Sequence, residues 1–164
     1  MDICKLNFTK LDNELFLYLC MNAGRSLSQR EIALDLDFSP TAIANSVRKL
    51  KEKDFVKIKK TKTINFISFN RDNYKAVELK RGKNLESIYI SGLSDFLEEK
   101  FAGATIILFG SYSKGEDVVS SDIDIAIIGR KSKDLDLRRF EKLLFREINI
   151  NFYKSWKISN NELR

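Results

Sequence analysis

The run "ILFGSYSKGEDVVSSDIDIAIIG", Ile107 to Gly129, constrains this chain more than any other stretch. Its second half alternates aspartate with isoleucine before turning wholly apolar, the pattern of a strand with one face in a core. Residues two apart on a strand share a face, with Cα atoms about 7 Å apart, so Asp122 and Asp124 stand side by side. Two like charges so placed repel unless a cation holds them, and hard carboxylate oxygens suit Mg2+ or Mn2+. Carboxylates converging on one or two such ions serve phosphoryl and nucleotidyl transfer. Ahead of them, Gly110 and Ser111 follow a strand that ends at Phe109, where a short helix can begin. Glycine lets backbone approach a phosphate closely, and exposed N–H groups at a helix start bind anions. Ser111 adds a hydroxyl and Lys114 a point charge, so the loop reads as a grip for a triphosphate tail beside a metal held by the aspartates.

The rest of the composition narrows the chemistry. The chain has no histidine, which excludes histidine triads, histidine general bases and most zinc sites. Any transfer chemistry must rest on carboxylates, lysine or a metal. Of 164 residues, 43% are apolar and 12 are phenylalanine, enough for a real core. The longest apolar runs fall far short of a membrane span, and the N-terminus lacks the layout of a signal peptide. Cys4 and Cys20 have no metal-ligand spacing and read as reduced thiols, Cys20 in a helix core. The expected location is the cytoplasm, away from membranes.

Charge is uneven. Residues 1–80 hold 15 Lys/Arg against 10 Asp/Glu, whereas residues 81–164 hold 14 against 13. Arg48 to Lys62 alone carries eight basic residues, the footprint of a polyanion partner. The same half reads as three helices and a hairpin. "TKLDNELFLYLCMNAG" places Leu11, Leu15, Tyr18 and Leu19 on one helical face. Ser28 followed by Glu31 is a capping box for a second helix, and Ser39-Pro40 opens a third with Ile43, Val47 and Leu50 inward. "FVKIKK" and "INFISFN" then alternate as two strands. This is the winged helix-turn-helix layout. Thr41, Asn45, Arg48 and Lys49 lie on the outer face of the third helix, where base edges would be read. The hairpin offers Lys57, Lys59, Lys60 and Lys62 to phosphates of double-stranded DNA. Over residues 9–70, "SLSQREIALDLDFSPTAIANSVRKLKEKDFVK" resembles archaeal and bacterial winged-helix regulators.

Residues 71–103 read as helical, with a break near Gly82 and then a stripe of Leu85, Ile88, Tyr89, Leu93, Phe96 and Leu97 expected to cover a sheet. Strand, loop, strand, helix and strand follow, through "ATIILF", "DIDIAIIG", "KDLDLRRFEKLLFRE" and "INFYKSW". The expected fold is α+β: a winged helix-turn-helix domain over 1–70, linking helices over 71–102, and a small mixed α/β domain over 103–164.

"LFGSYSKGEDVVSSDIDIAII" is similar to the signature of the minimal nucleotidyltransferases of the DNA polymerase β-like superfamily, a Gly-Ser, a short loop, then Ser-Asp-x-Asp. The resemblance covers residues 104–154. It implies NMP transfer from ATP or another NTP, with the metal on Asp122 and Asp124 and phosphates near Gly110, Ser111, Lys114 and Ser121. It also implies a third carboxylate on the next strand, "REININ", where this chain offers Asn149, or Asn151 in another placement, with Glu147 as a substitute if the register differs. An amide cannot take a proton at neutral pH, so Asn149 there predicts slow or absent turnover with nucleotide binding retained. Minimal members are often antitoxins, and they usually continue beyond this strand. A homodimer or a protein partner completing the site is therefore expected, with Tyr153 and Trp156 as a candidate aromatic contact. Two functions fit: a metal-dependent nucleotidyltransferase carried by a DNA-binding domain, or a DNA-binding regulator or antitoxin-type protein whose transferase-like domain is catalytically weak or inactive.

Overall fold

In the computed structural model, which describes residues 8–155, the chain divides into two units between Ala76 and Val77. In the first, helix α1 (Lys10–Met21) opens on a capping box: the Thr9 hydroxyl accepts the Asp12 N–H at 3.2 Å, and the Asp12 carboxylate accepts the Thr9 N–H at 2.9 Å. After the short strand β1 (Leu27–Ser28), Ser28 and Glu31 cap α2 (Gln29–Asp35) in the same way, as the sequence predicts. Ser39 caps α3 (Pro40–Glu52), with Pro40 at the first helical position, where a missing N–H breaks no bond. Strands β2 (Val56–Lys60) and β3 (Asn65–Phe69) form an antiparallel hairpin, and β1 pairs with the other edge of β3 to give the order β1-β3-β2. Three helices and a three-stranded wing in this order are a winged helix-turn-helix.

Its core joins Leu15, Leu19 and Cys20 to Ile43, Val47, Leu50, Val56 and Ile67. Leu11 and Tyr18, expected on the inner face of α1, are displaced from it: Tyr18 is only half-buried, and Phe16 takes the inner place. The reason is aromatic packing: the Phe16 ring lies 5.6 Å from Phe55 and 6.0 Å from Phe69, which turns the helix toward the sheet. Tyr18 instead donates its hydroxyl to Asp35.

One buried charge fixes α1 on α3. Asp12 is fully buried and accepts hydrogen bonds from the Ser46 hydroxyl and, at 2.9 Å, from the Lys49 ammonium. Burial pushes its pKa up, but the bonds from Ser46, Lys49 and Thr9 outweigh that and hold it well below the usual carboxylate range. A depressed folded pKa contributes stability that is complete above the unfolded value of about 3.9 and fades as pH falls toward the folded value. Asp12→Asn should therefore cost about 2–3 kcal/mol at neutral pH, and less in acid. Hydrogen exchange checks this: amides of α1 and α3 should exchange faster, with those of the second unit unchanged.

The second unit begins inside a helix. α4 (Tyr74–Ile90) runs through Gly82 without the expected break, because Gly82 faces open space and the helix passes it undisturbed. The break falls at Gly92, whose φ of +75° is a left-handed conformation that glycine adopts without strain. α5 (Leu93–Lys100) starts there on a new register. Ile88, Leu93 and Leu97 are buried as expected, but Leu85 and Tyr89 are 47% and 61% exposed, since α4 buries the face of Ala76, Lys80, Asn84 and Ile88 and they lie one position off it. The helices expected to link domains over 71–102 thus contribute to the second unit's core.

Beyond them come β4 (Thr105–Phe109), the single-turn α6 (Gly110–Lys114), β5 (Ile123–Ile128), α7 (Arg138–Leu144) and β6 (Ile148–Tyr153). The sheet order is β4-β5-β6, with β4 antiparallel and β6 parallel to β5. Ile123, Ile125 and Ile127 point to the helical side, where they meet Ile88, Leu93, Leu97, Phe140 and Leu144. Alternation sends Asp124 and its neighbours to the other face. Among the described residues, no helix is long and apolar enough to cross a membrane.

Candidate functional site

Three predicted residues meet on that second face. Asp124 sits in β5 between Phe109 of β4 and Asn149 of β6. Asp122 precedes the strand by one residue, and the Asn149 side-chain amide donates to its carboxylate at 2.9 Å. The register thus puts Asn149 rather than Asn151 beside the aspartates, since Asn151 pairs with Ala126 one pleat further along. Glu147 lies at the Asp122 end, where its carbonyl accepts the Ile123 N–H at 2.8 Å. Its side chain lines a hollow of about 440 Å3 with Ser121, Asp122, Glu141 and Phe145.

Gly110 lies against Asp124. Its φ is +73°, a conformation strained for any residue with a side chain, and a Cβ there would lie 2.4 Å from the Asp124 Oδ2 atom and push that carboxylate aside. The bend therefore presses bare backbone against Asp124. Ser111 follows in the first turn of α6, and the Ser113 hydroxyl donates to the Gly110 carbonyl at 2.9 Å. Lys114 is exposed at the end of that turn. Ser121 accepts the Val118 N–H at 3.0 Å and closes the turn just ahead of Asp122.

The loop between bend and strand is anchored by a charge cluster that the sequence did not disclose. Asp117, 2% exposed, takes an ion pair from fully buried Lys80 of α4 and faces Arg146 at 3.5 Å. The Lys80 ammonium also donates to the Asp117 carbonyl at 2.9 Å, and the Asn84 amide donates to Asp117 at 2.7 Å and to the Tyr112 carbonyl at 2.8 Å. Burial first, then the nearby Asp117 charge, pushes the Tyr112 phenol up to about 12, so it stays a neutral donor. Gly115 completes the anchor: a Cβ there would fall 2.5 Å from the Val77 carbonyl of α4. The hydrogen-bonded partners in this anchor lie 28 to 37 residues apart in sequence, which no local pattern signals.

The donor set fits a divalent ion at two positions and not at the third. Asp122 and Asp124 offer hard oxygens on one face, whereas Asn149 turns an N–H donor inward. Among the described residues, no group of three or more Asp, Glu, Cys or His side chains gathers to hold a metal.

On the winged helix, Thr41 and Asn45 lie along α3 with Arg48, and Lys59, Lys60 and Lys62 are exposed along the hairpin. Lys49 pairs with the buried carboxylate of Asp12, and Lys57 with the exposed carboxylate of Asp72. Tyr153 is half-buried at the end of β6, and Trp156 lies outside the described residues.

Architecture and site together define a protein with a winged-helix module and a nucleotidyltransferase-fold module. Residues 90–159 match the family model described as a nucleotidyltransferase domain, so the second unit carries a domain of that kind. No curated protein matches the chain. Similar solved structures include MepR, a transcription regulator of the Staphylococcus aureus multidrug efflux pump MepA, at 22% identity and a TM-score of 0.42, covering 57% of this chain and 72% of that one. ZitR of Lactococcus lactis is 19% identical with a TM-score of 0.43, over 62% of this chain and 66% of its own. The S. aureus MepR–DNA complex is 18% identical with a TM-score of 0.42, over 58% and 79%.

Asp117→Ala should lower stability by about 3–5 kcal/mol, because it strands two buried cations without their carboxylate. A denaturant titration reads the loss, and hydrogen exchange should place it in α4 and residues 110–122.

Proposed function

We propose that the second unit binds a nucleoside triphosphate, ATP or another, with Mg2+ or Mn2+, and transfers its nucleotidyl group to an acceptor, while the first unit binds duplex DNA. The observation that carries this is the approach of the Gly110 backbone to Asp124, beside Asp122 on the same face. Asp122 and Asp124 would hold the cation, and Gly110, Ser111, Lys114 and Ser121 the phosphates. A bound divalent ion supplies charge neutralisation at the phosphate oxygens. The chain's own part is to keep two carboxylates and a bare backbone bend in register, which the Asp117 anchor does. The Asn149 hydrogen bond favours a second reading: a DNA-binding regulator or antitoxin-type protein that holds the nucleotide with little or no turnover, since an amide cannot accept the acceptor's proton.

Calorimetric titration with ATP should show binding in the presence of Mg2+ that weakens about tenfold or more in Asp122→Ala and in Asp124→Ala. Unchanged affinity in both variants would move the nucleotide elsewhere. Duplex binding should weaken steeply with salt. Neutralising Lys59, Lys60 and Lys62 should flatten the salt slope by about one for each phosphate that the hairpin then leaves unneutralised. Neutralising Lys57, already paired with Asp72, should change it less. A slope indifferent to all four lysines rules out the hairpin as a DNA-binding element.

A further inference from the structure

We infer that Asn149 limits the aspartate site to a single divalent cation, so that the chain holds a nucleoside triphosphate without a second ion to prepare an acceptor. The inference rests on the nucleotide reading above and concerns what that same site can do.

Position comes first. Asn149 is the residue of β6 in register with Asp124, and its side chain reaches Asp122. Any ion shared between Asp122 and the third strand would have to lie where the amide N–H now points. That N–H carries the positive end of the amide dipole, so it satisfies the Asp122 oxygen and repels a cation from the same place. Turning the amide over would set its carbonyl oxygen against the carboxylate and lose the hydrogen bond.

Ligand number leads to the same result. Asp122 and Asp124 together offer two carboxylates to a cation, and Asn149 presents an N–H donor. A pair of ions of the kind that clamps both attacking and leaving oxygens has to divide its protein oxygens between two centres. Glu147 is the nearby alternative, at the Asp122 end of the hollow. Among the described residues, however, it does not join the two aspartates into a three-carboxylate group. Without a carboxylate at the third position, the acceptor hydroxyl has neither a second ion nor a proton acceptor there. Asn149 thus acts as a positioning residue: it fixes Asp122 and sets how many ions the site admits.

The experiment counts ions directly. Mn2+ is titrated onto the full chain with a non-hydrolysable ATP analogue present, and free Mn2+ is followed by electron paramagnetic resonance. The wild-type chain should take up about one nucleotide-dependent ion and Asn149→Asp about two. Glu147→Gln should leave the wild-type count unchanged. A wild-type count of two, or a count that drops in Glu147→Gln, overturns the inference and leaves nucleotide binding standing. Asn149→Asp that folds by circular dichroism yet stays at one ion also overturns it. If neither chain takes up an ion with nucleotide, the nucleotide reading itself fails, and this inference fails with it. The wild-type count alone still decides between one ion and two if the variant does not fold.

Discussion

A carboxylate withdrawn from water, Asp117, holds the loop that joins the glycine-serine bend to the aspartate strand. Lys80, Arg146 and Asn84 converge on it from α4 and from the turn before β6. Desolvating such a group is expensive, and an ion pair in a dry interior often adds little net stability. Its value here is geometric. Gly110 and Asp122 lie twelve positions apart, and a loop of that length has many conformations open to it. Pinning Asp117 near its middle leaves few, and in the one adopted the Gly110 backbone rests on Asp124. The site thus depends on an interaction that none of its own residues makes.

The winged helix solves a parallel problem with a parallel device. Asp12 belongs at once to the cap of α1 and to the packing of α1 on α3, through Ser46 and Lys49. The helix expected to face DNA is held in place by a lysine on its own outer surface. That divides the basic residues into two kinds. Lys49 and Lys57 pair with carboxylates of the same unit, buried Asp12 and exposed Asp72, and Lys59, Lys60 and Lys62 extend into solvent.

What the sequence disclosed and what it hid follow from range. Caps at Ser28 and Ser39, the alternation of "DIDIAII" and the hairpin after Phe55 depend on residues within a few positions of one another, and all were legible. The placement of Asn149 could be read too, because a parallel strand in register with β5 admits few positions. The turn of α1 toward Phe55 and Phe69 was not, since those rings arrive from a hairpin some forty residues later or more. Nor was the Lys80–Asp117–Arg146 cluster: a lysine in an amphipathic helix ordinarily signals solvent. Gly82 misled for a related reason. Glycine breaks a helix only where the chain has cause to leave it, and here that cause lies at Gly92.

The division between the units falls within α4, not in a loop, and this decides where the chain can be cut. Asn73 caps that helix by accepting the Ala76 N–H at 3.1 Å, and its own amide donates to the Asp54 carbonyl at 3.2 Å. Severing the backbone at the boundary after Ala76 would leave the second unit starting on an uncapped helix, its first amides bare. A fragment meant to survive alone should begin upstream of Asn73. The winged helix, for its part, needs Asn73 at its own C-terminal edge, so each half prepared separately should carry a copy of the same few residues.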